Sequence, residues 1–110
     1  MKYHVNVTEA AERDMKEAAE YIARNLNNQS AAVRLLDETD AAAESLSKNP
    51  LRQPLVRDDF LAALGLRLLT VNNYNLFYIV REQTNSVSVI RFVHSRRDWA
   101  NLFAGIELET

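Results

Sequence analysis

The chain has 110 residues, 47% of them hydrophobic and 25% charged, with a formal net charge of −2. A chain of this size is expected to form one domain, residues 1–110, and its lack of cysteine excludes disulfides, zinc–thiolate sites and thiol nucleophiles. The slight negative charge argues against a simple nucleic-acid-binding domain. The lack of a long apolar run or a signal-peptide pattern predicts a cytoplasmic protein with no membrane contact.

The first fifty residues predict a strand followed by two helices. Alternating apolar residues over 2–7 indicate a half-buried strand, after which the Thr8 hydroxyl can cap a helix. Ser30 can cap a second helix, which Asn49 and Pro50 end. Apolar residues recur at helical spacing in both helices: Ala11, Met15, Ala18, Ile22 and Leu26 in the first, and Ala32, Leu35, Leu36, Thr39, Ala42, Ala43 and Leu46 in the second. We therefore expect an antiparallel helix hairpin.

The second half predicts a meander of three strands. A loop and a short helical turn, capped by Asp58 and ended by Gly65, precede the first of them. The strands are expected at residues 66–71, 75–81 and 87–93. Both alternating faces are apolar, so we expect both to be covered at least in part, one by the helix hairpin and the other by something smaller or by a partner.

A final short helix is expected from Trp99 to Phe103, with Asp98 as its N-cap. The order of elements is then β-α-α-β-β-β, which predicts an α+β fold: a two-helix hairpin packed on a mostly antiparallel sheet, with a short C-terminal helix. The second apolar face of the sheet and the Trp99/Phe103 end are expected to leave hydrophobic surface exposed. Such surface predicts a protein partner.

Cationic residues are concentrated in the strands and in the segment that follows them. Within residues 67–97, five arginines stand against a single acid, which predicts a local surface that faces anions. His94 is a candidate for catalysis or target contact, because imidazole titrates near neutral pH; the alternative is a hydrogen bond to the backbone or to Asp98. Arg96 and Arg97 can clamp phosphates, or they lie in a solvated turn with one of them paired to Asp98.

Two further arginines and two aromatic residues are candidates for ligand contact. Arg91 lies in an apolar strand, where an unpaired charge is costly, so it either faces a groove or has a buried carboxylate partner. With Arg67 it would line the open side of the sheet. Tyr74 and Phe103 can stack on a base or on a partner's side chain, or pack in the core.

Neither a metal nor a cofactor is expected. The sequence has no glycine-rich phosphate loop, no HExxH motif and no Cys/His cluster. The acidic pair Asp58-Asp59 is more typical of a helix cap than of a metal site.

Three segments resemble one known family. They are GLRLLTVNNY at 65–74, the Phe77-Tyr78 pair, and the ending VIRFVHSRRDW at 89–99. Together with the order of elements, they resemble the RelE/ParE superfamily, and the resemblance covers nearly the whole chain. It implies a toxin, of the plasmid-stabilisation type, from a bacterial or archaeal type II toxin–antitoxin pair that arrests growth.

The resemblance leaves the mechanism open. RelE-like members cleave mRNA in the ribosomal A site, which would make this chain a metal-independent endoribonuclease. ParE-like members inhibit DNA gyrase by protein–protein binding without catalysis. RelE-like nucleases are strongly basic and usually carry a basic residue directly after the tyrosine of the middle strand, where this chain has Asn75. An inactive module that binds only its antitoxin is the third alternative.

The resemblance also implies a partner and roles for particular residues. In both branches a cognate antitoxin wraps the toxin with a partly disordered segment, so we expect a toxin–antitoxin hetero-oligomer with a helix in a groove or an added strand. For a nuclease, the catalytic residues would be His94, Arg97, Arg91 and Arg67. Contacts to nucleic acid or to another target would come from Arg96, Tyr74 and Phe103, and contacts to the antitoxin from Trp99, Leu102 and Phe103.

Overall fold

The computed structural model describes residues 2–97, and these confirm the predicted α+β fold. The strands are β1 (His4–Val7), β2 (Leu66–Val71), β3 (Tyr74–Arg81) and β4 (Ser86–His94). The helices are α1 (Glu9–Arg24), α2 (Gln29–Ser45) and the short α3 (Asp59–Ala63), with 3-10 turns at Pro50–Arg52 and Glu82–Thr84. The final helix predicted from Trp99 lies outside the described residues. No helix within residues 2–97 is both long and apolar enough to cross a membrane.

The strands form one sheet in the order β1-β4-β3-β2 within residues 2–97. β1 is parallel to β4, whereas the β2–β3 and β3–β4 pairs are antiparallel. The two hairpin connections place Asn72 and Asn85 at φ of 54° and 50°, a left-handed conformation that asparagine tolerates better than most residues. Because β1 has only four residues and pairs with Ser86–Val89, the last part of β4 has no strand beside it within residues 2–97 on the side away from β3.

Along that part of β4, the N-cap and side chains of α1 take the place of β1. Thr8 caps α1, accepting a hydrogen bond from the Ala11 amide, and its hydroxyl also lies 2.9 Å from the Val89 carbonyl oxygen, to which it donates. Further along α1, an Asp14 carboxylate oxygen accepts from the Phe92 amide at 3.0 Å. The start of α1 is therefore attached to β4 by polar contacts as well as by apolar packing.

The helix hairpin covers one face of the sheet, as the sequence predicts. Leu46, Leu76, Tyr78, Val87 and Val89 are fully buried there. The many alanines of the two helices let them approach closely, since Ala11, Ala19 and Ala32 are all buried. This face forms the main hydrophobic core.

The second face of the sheet is also covered, which corrects one expectation. The sequence pattern predicted exposed hydrophobic surface there, but Leu66, Phe77, Ile79 and Val93 are each at most 5% exposed. They form a second core with Val56, from the loop before α3, and with Leu61 of α3. Of the two alternatives for this face, cover by something smaller than the helix hairpin is the one that the structure shows, so the strand residues do not leave the exposed surface that was also expected. Period-2 patterning shows that a face is apolar without showing which loop packs on it.

Two local features of the helix hairpin differ from the sequence prediction. Asn28, not Ser30, caps α2, since its side chain accepts from the Ala31 amide at 3.0 Å while the Ser30 hydroxyl donates to the same oxygen. Leu26 is 58% exposed because α1 ends at Arg24 and the chain then turns away from the core. Both differences arise at the turn, where asparagine side chains compete for backbone amides.

Replacing Tyr78 by phenylalanine is expected to destabilise the protein by about 1–2 kcal/mol. The ring is fully buried, and its hydroxyl donates to the Pro50 carbonyl at 2.7 Å. Burial raises the pKa of Tyr78, although the nearby Arg67 and Arg52 lower it. The substitution would leave the Pro50 carbonyl without its donor. Urea unfolding measures the effect, with Tyr21→Phe, 54% exposed, as the matched control; equal effects of the two substitutions would contradict the assignment.

Candidate functional site

Three of the predicted site residues line one cleft at the end of β4. We call it the strand-end cleft; it has a volume of about 200 Å³. Tyr74, His94 and Arg97 line it from the sheet and the segment after it, and Asp14 and Glu17 line it from α1. Tyr74 begins β3 directly opposite His94 at the end of β4, which is why these two side chains meet.

The aromatic wall of this cleft is a stack of rings. Tyr74 stacks on Phe92 with ring centroids 4.9 Å apart and an interplanar angle of 7°. The His94 ring meets Tyr74 edge to face at 5.3 Å and 74°. Burial, together with the nearby Tyr21, raises the pKa of Tyr74, so its phenol is neutral at neutral pH. Tyr74 therefore packs against the core on one side and borders the cleft on the other.

His94 is exposed, and the structure shows how its ring is held. Its Nδ1 accepts a hydrogen bond from the Arg96 amide at 3.1 Å. In the neutral ring the proton is consequently on Nε2, which can donate. The Ser95 amide donates to the Asn73 carbonyl at 2.8 Å and ties this segment to the β2–β3 turn. The backbone bond considered for His94 is therefore present, and Asp98, its alternative partner, lies outside the described residues.

Arg91 does not line the strand-end cleft, because an internal carboxylate holds it. Its Nε donates to Asp14 at 2.6 Å and its Nη2 donates to the other oxygen at 3.0 Å. The two side chains are only 19% and 10% exposed. These bonds raise the pKa of Arg91, against the effect of its burial. Of the two alternatives for Arg91, the structure shows the carboxylate partner.

A β-bulge in β4 makes this pairing possible. Phe77 pairs with Arg91 and Tyr78 pairs with Val89, so Ile90 is an extra residue in β4. A bulge redirects the following side chains, and here Arg91 turns towards α1 while the Phe92 amide faces Asp14. The sequence does carry one signal for Asp14, which lies three residues after Ala11 and four before Ala18. It is thus an acid at the edge of the apolar stripe.

Arg67 is held two strands away from Arg91, at the β2 edge of the sheet. It lies on β2 opposite Tyr78, and one of its Nη atoms donates to the Gln53 carbonyl in the loop before α3. Arg91 instead bonds to α1 from β4, and β3 separates the two strands. The structure therefore does not bring Arg67 and Arg91 together on one ligand-facing surface.

The remaining predicted residues have simpler positions. Arg96 and Arg97 are exposed in the turn after β4. Trp99, Leu102 and Phe103 lie outside the described residues. Asp58 is an N-cap, as predicted, with its carboxylate accepting from the Leu61 amide at 3.0 Å. Between residues 2 and 97, no three His, Cys, Asp or Glu side chains are grouped in a way that could hold a metal ion.

A second depression, which the sequence reading missed, runs between α2 and the outer edge of β2. We call it the α2–β2 groove. Its hairpin end, about 440 Å³, lies between Arg34 and the Asn72-Asn73 turn, and its middle, about 370 Å³, lies between Ala42 and Val71. A separate apolar loop pocket of about 280 Å³ is lined by residues 53–57 and by Leu68, which packs against the second core rather than under the helix hairpin.

The outer edge of β2 is largely free beside this groove. Within residues 2–97, its only bridge partner is Leu55, opposite Arg67, with one adjacent hydrogen bond from the Val56 amide to the Leu66 carbonyl. Among residues 2–97, large apolar side chains are exposed on α1, α2, α3 and the segments that follow them: Tyr21, Leu26, Val33, Leu36, Leu51, Leu55, Phe60 and Leu64. Free backbone groups and exposed apolar side chains are typical of a surface that binds another chain.

Comparison with known proteins gives a family match and two similar structures. Residues 5–99 match the family described as ParE toxin of type II toxin–antitoxin system, parDE. The fold is similar to a chain of the RelBE2 toxin–antitoxin complex of Mycobacterium tuberculosis, with a TM-score of 0.60, 21% identity and coverage of 86% of this chain and 99% of that one. It is also similar to a chain of the chromosomal ParDE system of P. aeruginosa, with a TM-score of 0.69, 12% identity and coverage of 84% and 96%. No curated protein matches the sequence.

Proposed function

Because the chain belongs to the family of ParE toxins of type II toxin–antitoxin systems, we propose that it arrests growth as a ParE-like inhibitor of DNA gyrase, by binding rather than by catalysis. The observation that carries this proposal is the position of two arginines predicted to be catalytic. Arg91 is bound by Asp14, and Arg67 is bound by the Gln53 carbonyl. A nuclease of this type needs free cations at the developing negative charge of the reacting phosphate.

The surroundings of Asn75 support the same proposal. Asn75 occupies the position where RelE-like nucleases usually carry a basic residue, and it is only 8% exposed. It pairs with Thr70 on β2 and Val93 on β4, neither of which is charged. Neither Asn75 nor its two cross-strand partners therefore offers a cation to an RNA backbone, whereas protein–protein inhibition requires none.

Ribosome-dependent mRNA cleavage is the second candidate, and one observation favours it. The strand-end cleft brings Tyr74, His94 and Arg97 together, with Nε2 of His94 free to donate. A proton donor beside a guanidinium group is a suitable pair for metal-independent RNA cleavage, in which general acid–base catalysis contributes roughly 10²–10⁴-fold.

A supercoiling assay with purified gyrase separates these two functions. The wild-type protein is expected to inhibit supercoiling, and His94→Gln is expected to inhibit equally well, because binding does not need a proton donor. Transcript integrity is measured in parallel in cells that express each variant. If the wild-type protein does not inhibit supercoiling even in stoichiometric excess over gyrase, and translated transcripts are cut by the wild type but not by His94→Gln, the proposed function becomes mRNA cleavage instead of gyrase binding. Harmless expression with neither effect would indicate an inactive binding module.

We also propose that a cognate antitoxin neutralises this chain in a hetero-oligomer. Both similar structures belong to toxin–antitoxin systems. In this chain the α2–β2 groove is a suitable place for a partner segment, because it lies beside the free edge of β2 and small residues of α2, Ala41, Ala42 and Ser45, leave it open. An added strand in this groove would pair with the free edge of β2, and a helix would pack on the apolar lining between α2 and β2.

A further inference from the structure

The outer edge of β2 presents backbone groups that can pair with another strand. The Leu66 carbonyl points outward, because it accepts from the Val56 amide in the loop before α3. Backbone groups alternate in direction along a strand, so those of Thr70, at an even spacing from Leu66, also point outward. Within residues 2–97 the only bridge to this edge is the one between Leu55 and Arg67. The Thr70 amide and carbonyl are therefore available for pairing.

This part of the edge lacks the features that usually protect an exposed strand from pairing. Native sheet edges are commonly blunted by charged side chains, by proline or by a bulge. Residues 68–71, LLTV, include no charge and no proline, and β2 pairs with β3 in one continuous register. The Thr70 side chain is exposed. The edge is consequently open to an added strand.

The helix beside this edge carries opposite charges at two matched positions. On α2, Glu38 lines the groove one turn before the Ala41-Ala42 pair, and Ser45 lines it one turn after that pair. The Arg52 guanidinium lies at Ser45, because its Nη2 donates to the Ser45 hydroxyl at 2.9 Å. Within residues 2–97 neither Glu38 nor Arg52 has an ion-pair partner. An acid and a base thus lie on opposite sides of the middle of the groove.

We propose that a second copy of this chain pairs with the free edge, β2 against β2 and antiparallel, around a two-fold axis at Thr70. The two Thr70 residues exchange two backbone hydrogen bonds, and the two four-stranded sheets become one sheet. In a two-fold dimer the same patch meets itself, so the patch has to be self-complementary. The inference concerns the chain without its antitoxin and does not depend on gyrase inhibition.

The charges along the groove have this self-complementarity. Thr70 on β2 and the Ala41-Ala42 pair on α2 line the same middle section, so an axis at Thr70 passes between the two α2 helices at their alanines. Antiparallel pairing then places Glu38 of one copy beside Arg52 of the second copy, and the same contact forms again on the other side of the axis. Each contact is a carboxylate with a guanidinium group, which are well matched in geometry. The small alanine side chains let the helices approach.

A second copy fits this pattern better than a partner of one charge sign. An acidic segment along the groove would be repelled by Glu38, and a basic segment would be repelled by Arg52. The exposed acids Asp37 and Glu44 of α2 do not line the groove, so they do not face the second copy across it. Because the antitoxin segment is proposed for the same groove, the antitoxin and the second copy exclude each other.

Sedimentation of the full-length chain, free of antitoxin, tests the backbone pairing. The wild type is expected to pass from monomer to dimer as its concentration rises through roughly 1–100 µM, since the interface is small. Thr70→Pro is expected to raise the Kd of the dimer at least about 30-fold, because the outward N–H is lost and the ring blocks the second strand. The matched control is Thr70→Val, which keeps the N–H and is expected to stay within about threefold of the wild type. Urea unfolding of each variant shows that it is folded.

A charge swap tests the two-fold register. Glu38→Arg alone, or Arg52→Glu alone, brings like charges together across the axis and is expected to raise the Kd roughly 10-fold at low salt. The double variant Glu38→Arg/Arg52→Glu restores opposite charges at both contacts, so its Kd is expected within about threefold of the wild type. High salt narrows the differences among these variants.

Each result bears on the proposal. A wild-type chain that remains monomeric up to about 1 mM overturns the dimer, and if Thr70→Pro then abolishes antitoxin binding, the edge belongs to the antitoxin alone. A Thr70→Pro chain that dimerises as tightly as Thr70→Val overturns β2 as the interface. A double swap no tighter than the single variants overturns the register, and species that grow beyond a dimer overturn the two-fold axis. Supercoiling inhibition is measured separately, so failure of the dimer is distinguishable from failure of the proposed function.

Discussion

Replacing Asp14 by alanine is expected to destabilise the protein by about 3 kcal/mol, because breaking a largely buried ion pair leaves the other charge unpaired. Asp14 accepts three hydrogen bonds, two from Arg91 and one from the Phe92 amide. The substitution removes all three hydrogen bonds. It leaves the Arg91 guanidinium group without an anion, on a side chain that is only 19% exposed. A loss of this size is a large fraction of the about 5–15 kcal/mol that stabilises a typical domain.

Urea unfolding monitored by circular dichroism measures this effect. The control is Asp37→Ala, an exposed acid on α2, expected to change stability by less than about 0.5 kcal/mol. The double variant Asp14→Leu/Arg91→Met is expected to regain about half of the loss, because it removes the unpaired charge but not the unsatisfied Phe92 amide. If Asp14→Ala lowered the free energy of unfolding no more than Asp37→Ala does, the Asp14–Arg91 pair would not connect α1 to β4 in solution.

Replacing Phe92 by alanine is expected to destabilise the protein by about 3–5 kcal/mol. Phe92 is 2% exposed, lies in the core under the helix hairpin and stacks on Tyr74. Its removal leaves a cavity that the surrounding strands cannot easily fill, because α1 is attached to β4 by Thr8 at Val89 and by Asp14 at Phe92 itself. The strand-end cleft would also lose its aromatic wall.

Phe60→Ala is the matched control for this change. Phe60 is 67% exposed on α3, so the same deletion of a ring is expected to cost less than about 0.5 kcal/mol. Thermal and urea unfolding of both variants give the comparison. A Phe92→Ala protein as stable as Phe60→Ala would show that the Tyr74–Phe92 stack is not part of the packed core.

The Asp14–Arg91 pair has a consequence for function as well as for stability. It holds the part of β4 that lies beyond β1, and His94 is the last residue of that strand. A bulge fixed by Asp14 therefore precedes the strand-end cleft by only two residues. Arg91 was predicted either to face a groove or to have a carboxylate partner, and through the partner that it has, Asp14, it supports the strand leading to His94.

Much of this fold could be predicted from local sequence because its signals are local. The Thr8 and Asp58 caps act within one helical turn, and both are as predicted. The strand over residues 66–71 follows from its pattern of apolar residues, and Gly65, at φ of 88°, is the glycine that its predicted left-handed position requires. The spacing of apolar residues that marks a strand or a helix is a property of the sequence itself. The order of elements could therefore be predicted without knowing how they pack.

The site could be predicted only in part, since it depends on contacts between distant residues. The sequence alone identified Tyr74, His94 and Arg97 as candidates, and the structure places them in one cleft. It could not show that Arg91 pairs with Asp14, 77 positions away, because the bulge at Ile90 shifts the side-chain alternation that a sequence reading relies on.

What the sequence determined by itself was thus the identity and order of the elements, the helix caps and the set of polar candidates. Only the tertiary structure decided which candidate residues share a cleft, and that Arg91 is neutralised by Asp14 inside the protein. The physical reason is that hydrogen-bonding periodicity and capping act over a few residues, whereas the pairing of a charge depends on whatever the folded chain brings next to it.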